Sequence, residues 1–420
     1  MRIVFVNQVG QVGGAEMILL DLLASLPAAI PGVERHLIVL SDGPLIGRAE
    51  TLGVTVHAYP MPSKLAMLGD SALKGKGKGR LAVVLATRGL PAGLAAIGHA
   101  RGLGRLIREG KPDLIHSNGL KAHLLLSLAG LWGIPIVWQL QDFLGSRPVM
   151  ARALRWASRS AAGVIAIAEA VGRDAREVLD PLPVEVVYTA IDLDEFTPGV
   201  GDGPWLDGLA GLPTAEPGVA RVGLVAVYAR WKGQDLLLEA AAKIAASRPD
   251  AKVRFFIIGG PIYKTQGSQF TEAELRAQAA TLGLGDRVGF VPFRRDTANV
   301  YRALDVVVHA STQPEPFGRT IVEAMACARP VIVSDAGGAS ETFTQDVDAV
   351  GFPPGDRDAL ASAILGLLDD PARRDRIALE ARRSAASRFA RPRFGAEMAA
   401  AYARLMKSDR PAPASSPIGA

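Results

Sequence analysis

The sequence predicts an α/β protein of two doubly wound domains, each a parallel sheet covered on both faces by helices. Three observations carry that prediction. Short β-branched runs with little polar alternation recur between helical stretches, the pattern of strands buried on both faces. The alternation breaks over residues 197–219, TPGVGDGPWLDGLAGLPTAEPGV, and then restarts. The 420 residues exceed what one hydrophobic core accommodates and suit two domains of ordinary size. With 49% hydrophobic and 21% charged residues, the composition excludes a disordered or fibrous chain.

In the first half the strand candidates are 2–7, 36–42, 54–60, 113–118, 135–142, 163–169 and 184–191. Segments such as 14–26 and 119–131 supply helices between them. Residues 124–141 carry no charge, but Gly130, Gly133 and Pro135 divide them into helix, turn and strand rather than a membrane span. After the Gly- and Pro-rich break, strands are expected at 221–229, 253–260, 287–293, 306–311 and 331–335. Helices are expected at 234–247, 271–282 and 319–328, and residues 356–406 read as helix throughout. The final stretch is rich in Pro, Ala and Ser and reads as disordered. Two such sheets joined by a linker place a cleft between them, and ligands bind at the carboxyl ends of strands.

The single cysteine, Cys327, excludes an internal disulfide framework and favours a reducing compartment. The opening MRIVFVNQVG enters a strand at once and lacks the parts of a signal peptide, so a cytoplasmic protein is expected. The net charge of +5 is mild, but residues 74–80 read KGKGKGR, a glycine-spaced cationic loop. Residues 81–106 follow, rich in Leu, Ala and Gly and carrying Arg88, Arg101 and Arg105. Two readings stand side by side: 74–106 lies on an anionic membrane surface, or a core helix follows a solvated loop. Aromatic residues are not interleaved there, so no nucleic acid partner is expected.

The chemistry concentrates in STQPEPFGRTIVEAMACARPVIVSD, which starts at Ser311. Glu315 sits in a Pro-rich loop directly after an apolar strand. Gly318 permits a tight turn, and a helix starts near Arg319 or Thr320. The free N–H groups and positive dipole end of that helix form an anion site. Glu323 follows Glu315 by eight residues, on the same helix. A carboxylate before an anion site and another after it suit a nucleotide-sugar, whose hydroxyls flank a diphosphate.

Glu-x7-Glu around an inner Pro-Phe-Gly, followed by RPVIVSDAGGASE, resembles the signature of glycosyltransferase family 4, a group of retaining GT-B enzymes. Other pieces are similar to the family. Gly13, Gly14, Ala15 and Glu16 look like its N-terminal glycine loop, and Val187–Pro198 like its interdomain segment, where Asn-Gly is more usual than Thr189-Ala190. Gly337, Gly338 and Glu341 match its Gly-Gly-x-x-Glu, and Lys232-Gly233 its Lys-Gly at a helix start. The family's usual arginine falls here on Val227, and Arg230 is the nearest substitute.

The resemblance implies a GT-B fold, two Rossmann-like domains facing an interdomain cleft, with residues 1–195 binding acceptor and 196–390 binding donor. It implies that 391–406 form a helix crossing back to the N-domain, ahead of a disordered tail at 407–420. Glu315, Lys232 and Arg230 would be catalytic, with Glu315 on the donor sugar and the cations on the diphosphate. Glu323 would hold the ribose. Phe317, Gly318, Arg319, Thr320 and Ile321 would offer backbone N–H groups. Gly14 would let the N-domain backbone approach the phosphates, and the base would lie near Val291 and Phe293. Neither cofactor nor metal is implied. The donor would be a nucleotide-sugar, UDP- rather than GDP-linked, and a hexose would pass to a glycan or lipid-linked acceptor in cell-surface polysaccharide or glycolipid synthesis. The basic loop at 74–80 and the apolar stretch beyond it, rather than the resemblance, would place such an enzyme peripherally on the inner membrane face.

His116 and Asp142 end their strands toward the expected cleft and are the acceptor candidates. The spacing of His116 and His123 suits no zinc motif. Gly10, Gly13 and Gly14 do not form the dinucleotide fingerprint, which disfavours an oxidoreductase. A non-catalytic sugar-nucleotide scaffold and a GT-B epimerase remain as alternatives.

Overall fold

In the computed structural model of the chain the described residues are 1–62, 90–261 and 267–407. The basic loop at 74–80, residues 81–89 behind it and residues 408–420 of the expected tail lie outside them. The chain forms two compact units, Met1–Ala190 with Arg391–Ala420, and Ile191–Ala390. The division falls slightly before residue 195, and the helix after residue 390 belongs to the first unit.

The first unit is built on seven parallel strands: β1 Arg2–Asn7, β2 Glu34–Val39, β3 Thr55–Ala58, β4 Leu114–Asn118, β5 Ile136–Leu140, β6 Gly163–Ala166 and β7 Val184–Val186. Their order is β3-β2-β1-β4-β5-β6-β7. Ile3, Phe5, Val6, Leu114, Ile115, Val137 and Trp138 are buried, so both faces of the central strands are covered and no polar alternation is needed. The strand order reverses between β1 and β4, where a doubly wound sheet opens its ligand crevice.

The second unit repeats the plan with six strands: β8 Ala220–Val225, β9 Val253–Gly259, β10 Val288–Pro292, β11 Val306–His309, β12 Val331–Ser334 and β13 Val350–Phe352. All pairs are parallel, in the order β10-β9-β8-β11-β12-β13. Its switch point lies between β8 and β11. Strand β13 escapes a periodicity reading because three residues are too few to show a period.

Two stretches bear on the expectations. Residues 197–219, expected as a linker or a surface excursion, carry a docked helix. Helix Gly203–Leu209 is capped by Asp202, whose Oδ1 accepts from Trp205 N at 2.8 Å. Gly201 is glycine for contact: a Cβ there would lie 1.8 Å from the Arg302 carbonyl oxygen. Residues 90–109 form a packed helix that buries Ala100, Leu103 and Ile107, so the core-helix reading holds for the described part of 81–106. Among the described residues no helix is long and apolar enough to cross a membrane.

The 356–406 region is three helices, Arg357–Leu368, Pro371–Arg388 and Arg391–Lys407. The last packs along helix Gly14–Ala29 of the first unit. Arg391 Nη2 reaches the fully buried Asp21 at 2.7 Å, and Arg404 pairs with Glu185 at 2.9 Å.

Candidate active site

The site in the second unit starts from the end of β11. His309 is the last residue of β11, and Ser311 follows it by two residues. Both turn to Glu315. Ser311 Oγ donates to Glu315 Oε2 at 2.8 Å, and His309 Nε2 lies 3.2 Å from Ser311 Oγ and 3.5 Å from Glu315 Oε2. Lys232 Nζ reaches the same oxygen at 2.6 Å. Burial alone would raise the Glu315 carboxyl; the Lys232 ammonium and His309 outweigh it and hold the group well below the ordinary carboxylate range. Glu315 Oε1 accepts no hydrogen bond from the described residues, which leaves it to a ligand. The Gly337-Gly338 pair fixes the loop: Gly338 N donates to the Glu315 carbonyl at 2.7 Å, and Gly337 takes φ +69°.

Gly318 caps helix Arg319–Ala326 with φ +89°, a left-handed position that glycine reaches without strain. The first N–H groups of that helix have no intrahelical acceptor and face an anion site by geometry. One expected contributor differs. Ile321 N already donates to the Gly318 carbonyl at 2.9 Å, so it is not an open donor. Phe317 is buried edge-to-face on Phe389, with centroids 5.7 Å apart, so only its backbone can serve. Thr320 lies half-buried in the first turn.

Glu323 is 8% exposed, and both its oxygens are already held. Tyr301 Oη donates to Oε2 at 2.9 Å, and Arg319 Nε donates to Oε1 at 2.8 Å. Burial and the adjacent Glu323 push the Tyr301 hydroxyl well above its usual value, so it stays a donor. Tyr301→Phe is expected to cost about 1.5–3 kcal/mol, the worth of a hydrogen bond to a charged group. Urea unfolding measures it; an unchanged midpoint would mean that water replaces the hydroxyl.

Lys232 ends a short turn, Arg230–Lys232, and Gly233 follows at φ +76°, with room for no Cβ: the Ala310 carbonyl oxygen would be 2.0 Å away. Arg230 does not join the cluster. Its guanidinium pairs with Glu274 at 2.8 Å and lies 4.4 Å over the Phe270 ring, so recruiting it to a phosphate would break both contacts. At the usual arginine position, Val227 offers only its carbonyl, which accepts from Gln234 Nε2 at 2.8 Å. Val291 is fully buried within β10 and cannot line a base site, whereas Phe293 just beyond it is half exposed.

In the first unit, Gly14 opens helix Gly14–Ala29, and Glu16 Oε2 accepts from Gly13 N at 3.0 Å. A Cβ on Gly14 would meet nothing within 4 Å, so packing does not demand this glycine. Asp142 is partly exposed and pairs with Arg147. His116 is not an acceptor contact. It is fully buried, with Nδ1 2.8 Å from Tyr402 Oη and Nε2 3.0 Å from Gln139 Oε1. Burial pushes His116 down to about 4 and His123 down to about 3. In the unfolded chain both protonate near 6.5, so their folded forms lag behind as pH falls. Stability of this unit is therefore full above that pH and is lost toward the folded values, at about 1 kcal/mol per pH unit per histidine. Urea titrations from neutral to acid pH read this slope, and a flat profile would mean that the rings protonate in place.

His309, Ser311 and Tyr301 were not singled out from sequence. The alternation in VVHAS was a usable signal for the first two. Among the described residues no group of three metal-ligating side chains occurs.

Two Rossmann-like units with this strand order, and a carboxylate–lysine pair beside a helix N-terminus, define the GT-B class. The model of "Glycosyl transferases group 1" matches residues 216–384, and that of "Glycosyltransferase Family 4" matches 12–195. The chain belongs to glycosyltransferase family 4. HepE of Anabaena, solved with UDP and glucose, is 28% identical with a TM-score of 0.75, over 96% of this chain and 99% of that one. The D-inositol 3-phosphate glycosyltransferase of Mycolicibacterium smegmatis is 35% identical over 231 residues, 54% of this chain and 49% of that protein. Its namesake in Xylanimonas cellulosilytica is 36% identical over 235 residues, 54% of this chain and 53% of that one. The chain thus spans about half the length of these curated relatives.

Proposed function

We propose that the chain transfers a hexose from a UDP-sugar, with retained anomeric configuration, to a hydroxyl of a glycan or lipid-linked acceptor. The observation that carries this reading is the Lys232–Glu315 pair at 2.6 Å beside the N-terminus of helix Arg319–Ala326. Charge builds on the diphosphate as the C1–oxygen bond breaks. Lys232 and the helix N-terminus are fixed in advance to receive that charge. Glu315, ionised and with Oε1 open, accepts hydroxyl hydrogens of the sugar. The acceptor oxygen bonds to C1 on the face that the diphosphate leaves, and its proton passes to the departing phosphate oxygen. Glu323 takes the ribose hydroxyls beside its bonds to Tyr301 and Arg319. Phe293 offers an exposed ring to the base. HepE, whose structures hold UDP and UDP-glucose, supports the choice of nucleotide.

The test is a thermal-shift panel with UDP, GDP, ADP and TDP in EDTA, followed by turnover of the matching sugars with glycan, lipid-linked and inositol 3-phosphate acceptors. A ligand at about a hundred times its Kd adds about 2.7 kcal/mol. UDP is expected to shift the midpoint most, and product NMR to show retention. A shift confined to GDP, or a binding site without turnover on any acceptor, would overturn the donor or the enzyme reading respectively.

A further inference from the structure

Helix Pro148–Ala157 carries a face that the proposed reaction does not use. Its inner side buries Leu154 and Ala157 and packs on helix Leu120–Ser127. Its outer side presents Val149, Arg152, Arg155 and Trp156, and Arg159 follows in the turn Ser158–Ser160, all of them exposed. Val149 is 56% and Trp156 54% exposed, an apolar stripe at i, i+7 flanked by guanidinium groups. No acidic residue occurs between Asp142 and Glu169, a stretch holding four arginines. Arg147 is paired with Asp142, but Arg152, Arg155 and Arg159 form no ion pair among the described residues. Trp132, 76% exposed, sits in the turn before β5, at the end of the sheet where β6 also begins and toward which this helix runs.

We propose that this face docks on an anionic lipid surface. Indole rings and a valine enter the headgroup region, where an amphipathic ring is at home. The unpaired arginines beside them meet the negative surface potential of the leaflet. Charge complementarity selects this occupant: a neutral protein groove would leave three guanidinium groups unmatched, and one helix with a single tryptophan has no series of rings for stacking bases. The inference stands on exposure and charge in the first unit and is independent of the donor site in the second.

The full chain is sedimented with vesicles of phosphatidylcholine alone and of phosphatidylcholine with equimolar phosphatidylglycerol, at low and high salt. Binding is expected only to the anionic vesicles and to weaken with salt. The combined Arg152→Gln, Arg155→Gln and Arg159→Gln variant should bind about a hundredfold more weakly, about fivefold for each cation lost. Trp156→Ala should bind more weakly and lose the blue shift of indole emission that vesicles produce in the wild type. Circular dichroism melting confirms that both variants are folded. Absence of wild-type binding, equal binding to neutral vesicles, or full retention by the arginine variant would overturn the proposal. Loss of binding only on changing Lys74, Lys76 and Lys78 to Ala would move the contact to the basic loop. Concentration-dependent dimers abolished by Trp156→Ala would assign the face to a second copy of the chain.

Discussion

Lys232→Ala is expected to lower turnover by about a hundred- to a thousandfold, the cost of removing one preorganised charge from a transition state. The loss belongs to kcat because the ammonium does most for a diphosphate that is gaining charge. Steady-state kinetics at saturating donor measures it, and a rate within a few-fold of the wild type would remove Lys232 from the chemistry. The same substitution changes the acid behaviour of the fold. Glu315 is part-buried, and its carboxyl is depressed below 4.5 chiefly by Lys232 and His309. A depressed carboxyl contributes stability that is fully present above its unfolded value and is lost as pH falls through the folded one. The wild type therefore loses this contribution progressively below pH 4.5. Without Lys232, burial is opposed only by Ser311 and His309, the carboxyl climbs back, and the acid-dependent part shrinks. Unfolding free energies of both proteins across that range show the difference.

Asp207→Ala is expected to destabilise the second unit by about 3–5 kcal/mol, the cost of removing one partner from a buried ion cluster. Asp207 is fully buried on the helix Gly203–Leu209. It pairs with Arg221 at 2.7 Å and Arg254 at 3.2 Å, and Oδ2 accepts from Ala215 N at 3.0 Å. Burial would raise its carboxyl, but the hydrogen bonds from Arg221, Ala215 and Arg254 bring it below its usual value. Arg221 belongs to β8 and Arg254 to β9, so one carboxylate ties two adjacent strands to the segment that leads into them. Truncation strands two guanidinium groups that are 13% and 14% exposed. Differential scanning calorimetry should show one of two transitions moving down while the other stays. A shift below about 1 kcal/mol, the median of surface pairs, would mean that water replaces the carboxylate.

The parts that sequence made legible are those written in contiguous chain. Glu315, Gly318 and Glu323 need only a strand end, a turn and one helix to come together, and their spacing reports all three. The doubly wound plan is legible for the same reason, because strands buried on both faces announce themselves by composition. What topology assembles is not legible. Lys232 meets Glu315 across 83 residues of sequence; the family resemblance puts both on one donor, but neither it nor any periodicity pairs them. His116 looked open because it lies near a strand's carboxyl end, yet Tyr402, 286 residues away, covers it. Asp207 was hidden in a segment whose glycines and prolines read as a linker. There glycine serves close contact, as Gly201 does against Arg302, and a seven-residue helix is too short for a period to show.

The interrupted chain path of the first unit sets an order of assembly during synthesis. Residues 1–190 leave the ribosome first, but their sheet lacks its last covering helix until residues 391–407 have been made. In the meantime Asp21 is a carboxylate without Arg391, and His116 lacks the Tyr402 hydroxyl. The second unit, continuous from Ile191 to Ala390, has all its strands as soon as it emerges. Translation therefore completes the later-encoded unit first, and the nascent first unit waits with helix Gly14–Ala29 uncovered until residues 391–407 arrive.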